Sequence, residues 1–419
     1  MDKILIEGGK RLQGEIVISG AKNAALPIIA ASLLTGEEVR LLNVPRLNDI
    51  STMCRLMERM GAKIISDGER LSIKNKEVAS FEASYDVVKT MRASVLVLGP
   101  LIARFGEARI SLPGGCAIGA RPINLHLMGL EKMGAEIRVE HGYVIARAGR
   151  LKGARIYLDF PTVTGTENLI MAATIADGTT LIENAACEPE IVDLANLLTG
   201  MGARIKGAGS DLIVIEGVDN LKGTEYRIMP DRIEAGTYIV ASAITGGDLF
   251  LRGCPAGYLD AVIIKLREAG VDIAEDGDGL RVRLPKKMRS IDIKTMTYPG
   301  FPTDMQAQMM ALMTVSSGIS IITETIFEKR FSHVAELRRL GADIKIEGNS
   351  AMVRGVETLS GANVMASDLR ASASLVLAGL RAEGETVISR VYHLDRGYER
   401  MVEKLTGVGA KIDRVRGSQ

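Results

Sequence analysis

Of the four cysteines in this chain, one sits where a thiol can do chemistry. Cys116 lies in SLPGGCAIGARPINLH, among Pro113, Gly114, Gly115 and Gly119. That loop composition cannot bury a thiol inside a regular element. Arg121 follows five residues on, and a neighbouring cation lowers a thiol's pKa and favours the nucleophilic thiolate. From these residues alone Cys116 is either a reactive thiol or an incidental loop cysteine. Cys54 falls on an apolar helical face, and Cys187 and Cys254 carry no comparable signal, so all three are expected to act as small hydrophobes.

A second signal is a set of cations: Lys22 in SGAKNAALP, Arg92 in KTMRASVLV, Arg330 in FEKRFSHVAEL, Arg370 in SDLRASASL and Arg396 in HLDRGYERM. Each is expected just before or at the start of a helix, where positive charge opposes the macrodipole. Any one of them reads equally well as a solvated surface charge, but the repetition calls for an anion and suits a small polyanionic ligand. Asp304, in YPGFPTDMQAQMMALM, follows a Pro/Gly turn and precedes a helix, so by type it reads first as an N-cap carboxylate. No GxGxxG, GxxxxGK[ST] or HExxH occurs, which leaves nicotinamide, P-loop and zinc-protease chemistry without support.

These side chains must be held by elements, and the elements repeat. LMERMGAKI, LEKMGAEI, LLTGMGARI, LREAGVDI, LRRLGADI and LTGVGAKI place Gly61, Gly134, Gly202, Gly270, Gly341 and Gly409 at spacings of 73, 68, 68, 71 and 68 residues. In phase with them, Gly36, Gly106, Gly178, Gly247, Gly318 and Gly384 each follow an Ala/Leu/Ile-rich segment and precede an alternating one. Two markers at one period define six repeats. Each glycine stands where a helix stops, so each is expected to adopt the left-handed capping conformation that glycine takes without strain. The pattern within a repeat is helix, strand, helix, strands.

A length of 419 residues favours two domains of three repeats each, dividing near RIMPDRIEAG around Pro230, with the first strand segment joining the second half. Lys+Arg 52 against Asp+Glu 51 leaves a formal charge of +1 with no basic tract, which argues against nucleic acid. No CxxC or HxxH pairing occurs, so disulfide frameworks and a metal site lack support. The start MDKILIEGGK has no signal pattern, and stretches such as ALPIIAASLL fall short of the roughly 20 residues a membrane span needs. A cytoplasmic protein is expected.

SGAKNAALP, KTMRAS, PGGCAIGARPINLH, ENAACEPEIVDLA, YPGFPTDMQAQ, ETIFEKRFSHVAEL, SDLRASASLVLAGL and HLDRGYERM together resemble the UDP-N-acetylglucosamine 1-carboxyvinyltransferase family of the enolpyruvyl transferase superfamily, from Lys3 to about Arg414. The resemblance implies an α/β fold of two inverted α/β barrel domains, three repeats each, with helices inside and sheets outside. One domain would be residues 22–229 with the cysteine loop, the other residues 1–21 and 230–419, and the active site would lie in the cleft between them. The implied reaction moves the enolpyruvyl group of phosphoenolpyruvate to the 3-hydroxyl of UDP-N-acetylglucosamine and releases phosphate, at the first committed step of peptidoglycan synthesis. No metal, organic cofactor or obligate protein partner is implied.

By the same resemblance Cys116 is the thiol that bonds to phosphoenolpyruvate and acts as an acid toward its methylene. Lys22, Arg121 and Arg396 surround the phosphate with Asn23 beside them, and Arg330 with Arg370 lies near the carboxylate. Asn23, Arg92, Arg121, Pro122, Ile123, Asn124, Leu125, Asp304 and Ile326 match sugar-nucleotide contacts, Asp304 taking the proton of the attacking hydroxyl, and Asp368 matches a carboxylate of the catalytic cleft. FPTVTG at Phe160–Gly165 departs from members that carry a lysine and a Ser-Val-Gly turn, and Asn124 stands where others have Asp. The rivals are the shikimate 3-phosphate enzyme of the same superfamily, which lacks a cysteine loop, and a noncatalytic sugar-nucleotide-binding paralogue.

Overall fold

The computed structural model describes residues 2–112, 123–254, 256–284 and 287–416. Cys116, Arg121 and Pro122 therefore lie outside the described residues. The chain divides into two compact units, residues 20–112 with 123–229 and residues 2–19 with 230–416.

Each repeat opens with a helix that is apolar or small on nearly every side, which is the composition of a helix with no face in water. In the first unit these are Lys22–Ala31, Leu98–Phe105 and Val163–Ala173. In the second they are Arg232–Thr245, Gln306–Met313 and Leu369–Arg381, and all 8 residues of Gln306–Met313 are buried. The second helix of each repeat is different. Asn48–Met60 is strongly amphipathic and buries Ile50, Met53, Leu56, Met57 and Met60, with Asp49 and Thr52, while Asn48, Ser51, Arg55, Glu58 and Arg59 face solvent.

Among the described residues, six four-stranded sheets cover these helices. The strand after each interior helix, such as Glu38–Leu42 or Ile319–Thr323, pairs antiparallel with the second strand of the following hairpin, Arg70–Lys74 or Ser350–Arg354. On its other edge it runs parallel to a short strand, Glu225–Arg227 or Ile293–Lys294. Burial alternates along these strands, so one face meets the helices and the other meets water. Helices lie inside and sheets outside in each unit, the α/β architecture expected.

The last sheet is completed from the other end of the chain. Its hairpin slot is filled by Lys3–Glu7, which pairs antiparallel with both Glu385–Ser389 and Lys411–Val415, with Ile4 opposite Ile388 and Arg414. Gly8 then occupies the place of Gly217 and Gly355 in their sheets: each donates its N–H to a marker glycine, Gly384, Gly178 and Gly318 respectively. A Cβ at any of the three would collide with a backbone carbonyl, that of Ala382, Ala176 or Ser316.

The first marker set behaves as expected, with φ from 93° to 108° at Gly61, Gly134, Gly202, Gly270, Gly341 and Gly409. The second set needs a correction, because Gly36 and Gly247 do not adopt positive φ. Gly36 follows the 3-10 turn Ser32–Leu34, which the extended Thr35 already terminates. At Gly247 the cap is taken by Gly246 at φ 64°, and Gly247 is needed for space: a Cβ there would stand 2.5 Å from the Leu12 carbonyl oxygen.

His126 lies buried on the helix Asn124–Lys132, its Nε2 3.0 Å from Thr164 Oγ1. Burial pushes its pKa down from 6.5 to about 4. The unfolded ring takes its proton first, so the stabilisation is complete above about pH 6.5 and is lost as pH falls toward 4. Denaturant unfolding from about pH 7.5 to about pH 4.5 is expected to lose about 2–3 kcal/mol more in the parent chain than in His126→Gln. Equal losses would mean that the folded ring is already charged.

Candidate active site

Three side chains from two successive repeats meet in the unit containing residues 230–416. Asp304 sits in the 3-10 turn Thr303–Met305 that leads into Gln306–Met313. Arg330 belongs to the turn preceding the helix Val334–Arg339, and Arg370 is the second residue of Leu369–Arg381. Arg330 Nη2 donates to Asp304 Oδ1 at 2.8 Å, while Arg370 donates to Oδ2 through Nη2 at 2.8 Å and Nε at 3.2 Å. Both guanidinium groups are almost wholly buried, and the carboxylate is 27% exposed. The N-cap reading of Asp304 is thereby corrected: the turn has no side-chain cap, because two buried cations claim both oxygens.

Burial alone would raise the Asp304 pKa, but Arg370 and Arg330 outweigh it and hold the carboxyl well below its usual range. Arg370 is raised in turn, burial being overcome by Asp304. Behind the triad Gln308 Nε2 donates to the Asp304 carbonyl at 2.9 Å, Tyr398 Oη at 3.1 Å and Thr237 Oγ1 at 3.2 Å. Asp368 caps Leu369–Arg381 by accepting from the N–H groups of Arg370 and Ala371, each at 3.0 Å, which fixes the backbone that carries Arg370. His333, buried near Asp368 and Arg330, is pushed down to about 4 chiefly by burial.

Arg396 differs from expectation, since it closes the 3-10 helix Val391–Arg396 instead of opening one, a position that suits a cation. Its charge reaches His393, whose pKa is lowered by burial first and by Arg396 next. Ile326 is half-buried, and its N–H is held by Glu324 Oε1 at 2.8 Å.

In the unit of residues 20–229, Lys22 opens Lys22–Ala31 and its Nζ lies 2.8 Å from Asp49 Oδ2, with both side chains nearly buried. Asn23 follows at the second helical position, half-buried. Arg92 opens the 3-10 helix Arg92–Val97. Ile123 and Asn124 begin Asn124–Lys132, Asn124 being exposed. Leu125 is 4% exposed within the apolar core, so any contact it offers a ligand is restricted to its backbone. In the divergent stretch Phe160 is half exposed and Thr162 caps Val163–Ala173 by accepting from Gly165 N at 3.4 Å. The three described thiols are held protonated. Burial pushes Cys54 up to about 11 and Cys254 to about 12, and raises Cys187.

Sequence reasoning missed Asp49, Thr303, Glu324, Gln308 and Tyr398. Asp49 carried a weak signal as an acid in the first turn of a helix. Glu324 had none, since a Glu just after a strand ordinarily faces water.

Residues 6–405 match the family EPSP synthase (3-phosphoshikimate 1-carboxyvinyltransferase). The chain belongs to this enolpyruvyl transferase family. Within it, the chain is 61% identical over 417 residues to the UDP-N-acetylglucosamine 1-carboxyvinyltransferase of Thermodesulfovibrio yellowstonii, covering 99% of this chain and 100% of that one. Among solved structures it resembles the enolpyruvyl transferase NikO from Streptomyces tendae, with a TM-score of 0.90 and 26% identity over 100% of this chain and 99% of that one. It shares its fold with an EPSP synthase from Acinetobacter baumannii at a TM-score of 0.77, 19% identical over 99% of this chain and 100% of that one. No helix among the described residues is long and apolar enough to cross a membrane.

Proposed function

We propose that this chain transfers the enolpyruvyl group of phosphoenolpyruvate to the 3-hydroxyl of UDP-N-acetylglucosamine, releasing phosphate, in the cytoplasm at the first committed step of peptidoglycan synthesis. The observation that carries this reading is the 61% identity, spanning 99% of the chain, to an enzyme named for that sugar nucleotide. The likeness to EPSP synthase at 19% identity is one of fold.

The chemistry is addition followed by elimination. A proton delivered to the methylene carbon makes C2 electrophilic, and on this reading Cys116 delivers it. The sugar hydroxyl adds to C2 and gives up its proton to Asp304. The tetrahedral adduct then expels phosphate as a methyl proton leaves and the double bond re-forms. Lys22, Asn23, Arg121 and Arg396 hold the phosphate, and preorganised cations stabilise the charge that collects on it. Arg92, the run Arg121, Pro122, Ile123, Asn124 and Leu125, and Ile326 hold the sugar nucleotide, with Asp368 in the catalytic cleft. Residues 22–229 and residues 1–21 with 230–419 act as two domains on the same substrate pair.

The arginine triad gives Asp304 a built-in control. Between two guanidinium groups the carboxylate is a weak base. A co-substrate carboxylate that draws Arg330 and Arg370 toward itself raises the proton affinity of Asp304 when the hydroxyl must be deprotonated. Phosphate release measured with both substrates tests the function. Release is expected with phosphoenolpyruvate and UDP-N-acetylglucosamine and is not expected when shikimate 3-phosphate replaces the sugar nucleotide. Turnover with shikimate 3-phosphate alone would transfer the chain to the rival activity, and no release with either acceptor would favour the noncatalytic paralogue.

A further inference from the structure

We propose that Glu324 and Thr303 are positioning residues that aim Arg330 at the anionic co-substrate, an inference that rests on the function proposed above. Glu324 follows the strand Ile319–Thr323 and is 3% exposed. Its Oε1 accepts from Thr295 Oγ1 at 2.8 Å, from Ile326 N at 2.8 Å and from Phe327 N at 3.2 Å, and its Oε2 accepts from Thr303 Oγ1 at 2.8 Å. All four partners donate to it.

The direction of these bonds gives the inference its content. Arg330 Nη1 donates to Thr303 Oγ1 at 3.2 Å, and a guanidinium has no acceptor to offer. The one hydrogen on Thr303 must therefore point at Glu324, leaving a lone pair for Arg330. Arg330 spends its other terminal nitrogen on Asp304. A directed chain thus runs from Asp304 through Arg330 and Thr303 to Glu324, and the guanidinium plane is set by two acceptors instead of one. The same carboxylate pins the N–H groups of Ile326 and Phe327. One buried side chain thereby ties the loop assigned to the sugar nucleotide to the arginine assigned to the co-substrate.

The chain can be loosened without changing its shape. In Glu324→Gln the amide oxygen stays with the backbone N–H groups, and the NH₂ faces Thr303. The hydroxyl then accepts from Gln with one lone pair and from Arg330 with the other, and its hydrogen loses the acceptor that fixed its orientation. Thr303→Val removes the lone pair, and Thr303→Ser keeps it. Steady-state kinetics are expected to show KM for phosphoenolpyruvate raised about 10-fold or more in Glu324→Gln and in Thr303→Val, with a smaller change in kcat. Thr303→Ser should stay close to the parent, and the double variant should be no worse than Thr303→Val alone, because both changes break one chain.

Thr303→Ser as impaired as Thr303→Val, effects that add in the double variant, or an unchanged KM for phosphoenolpyruvate would each overturn the proposal. Parent turnover tests the function separately. If the parent releases no phosphate, crystal structures of the variants still decide: Arg330 displaced from Asp304 in Thr303→Val but not in Thr303→Ser supports the positioning role, and an unmoved Arg330 refutes it.

Discussion

Asp304→Asn is expected to lower turnover by about 10² to 10⁴, the range for loss of a general base. It is also expected to lower stability, which a helix cap would not do. Asn replaces Asp at a cap for a few tenths of a kcal/mol, but Asp304 caps nothing and neutralises Arg330 and Arg370. Removing its charge leaves two buried guanidinium groups sharing one amide oxygen. The cost should be on the order of 2 kcal/mol, below the roughly 3–5 kcal/mol of a fully buried pair because the carboxylate is 27% exposed. The pH profile adds a third readout. Because the arginines hold Asp304 well below its usual range, it is ionised in the free enzyme at every working pH, and the acid limb of kcat/KM should not come from it. Near-normal turnover in Asp304→Asn would leave the proton acceptor unassigned.

Lys22→Met is the second large effect, and its two consequences can be separated. Lys22 and Asp49 form a 2.8 Å ion pair with side-chain exposures of 11% and 5%. Losing the ammonium leaves a buried carboxylate without its ion-pair charge, a change worth about 3–5 kcal/mol of stability. Losing a preorganised cation from the phosphate should lower turnover by about 10² to 10³. The double variant Lys22→Met with Asp49→Asn removes the stranded charge, so thermal unfolding should recover most of the loss while turnover stays low. Recovery of turnover in the double variant would reduce Lys22 to a structural role.

What could be read from the sequence was what local chemistry dictates. Gly61, Gly134, Gly202, Gly270, Gly341 and Gly409 each answer a local demand, a backbone angle other residues avoid, so the repeat showed itself without any tertiary information. Gly36 and Gly247 misled because helix ends can also close through a 3-10 turn or a neighbouring glycine. The cations at Lys22, Arg330 and Arg370 were legible as misplaced charges. Their partners were not, since Asp49 lies 27 residues from Lys22 in the chain, and Asp304 reaches Arg330 and Arg370 at separations of 26 and 66. Glu324 was invisible for a further reason: its partners are mostly hydroxyls and backbone N–H groups, which leave no mark in a pattern of charges. Leu125 shows the converse, a residue assigned by motif whose side chain is core.

The strand Lys3–Glu7 puts a clock into the synthesis of this protein. It leaves the ribosome long before its partners Glu385–Ser389 and Lys411–Val415 are translated. At roughly 5–20 residues per second that separation is a wait of about 20–80 s. In the interval the strand is a short apolar segment with both edges open, an invitation to wrong pairings. Residues 20–229 need nothing from either end to complete their sheets and can fold while the rest is being made. A fusion placed before Lys3, or a chaperone that occupies the nascent segment, would therefore act on the yield of the second unit and leave the first untouched.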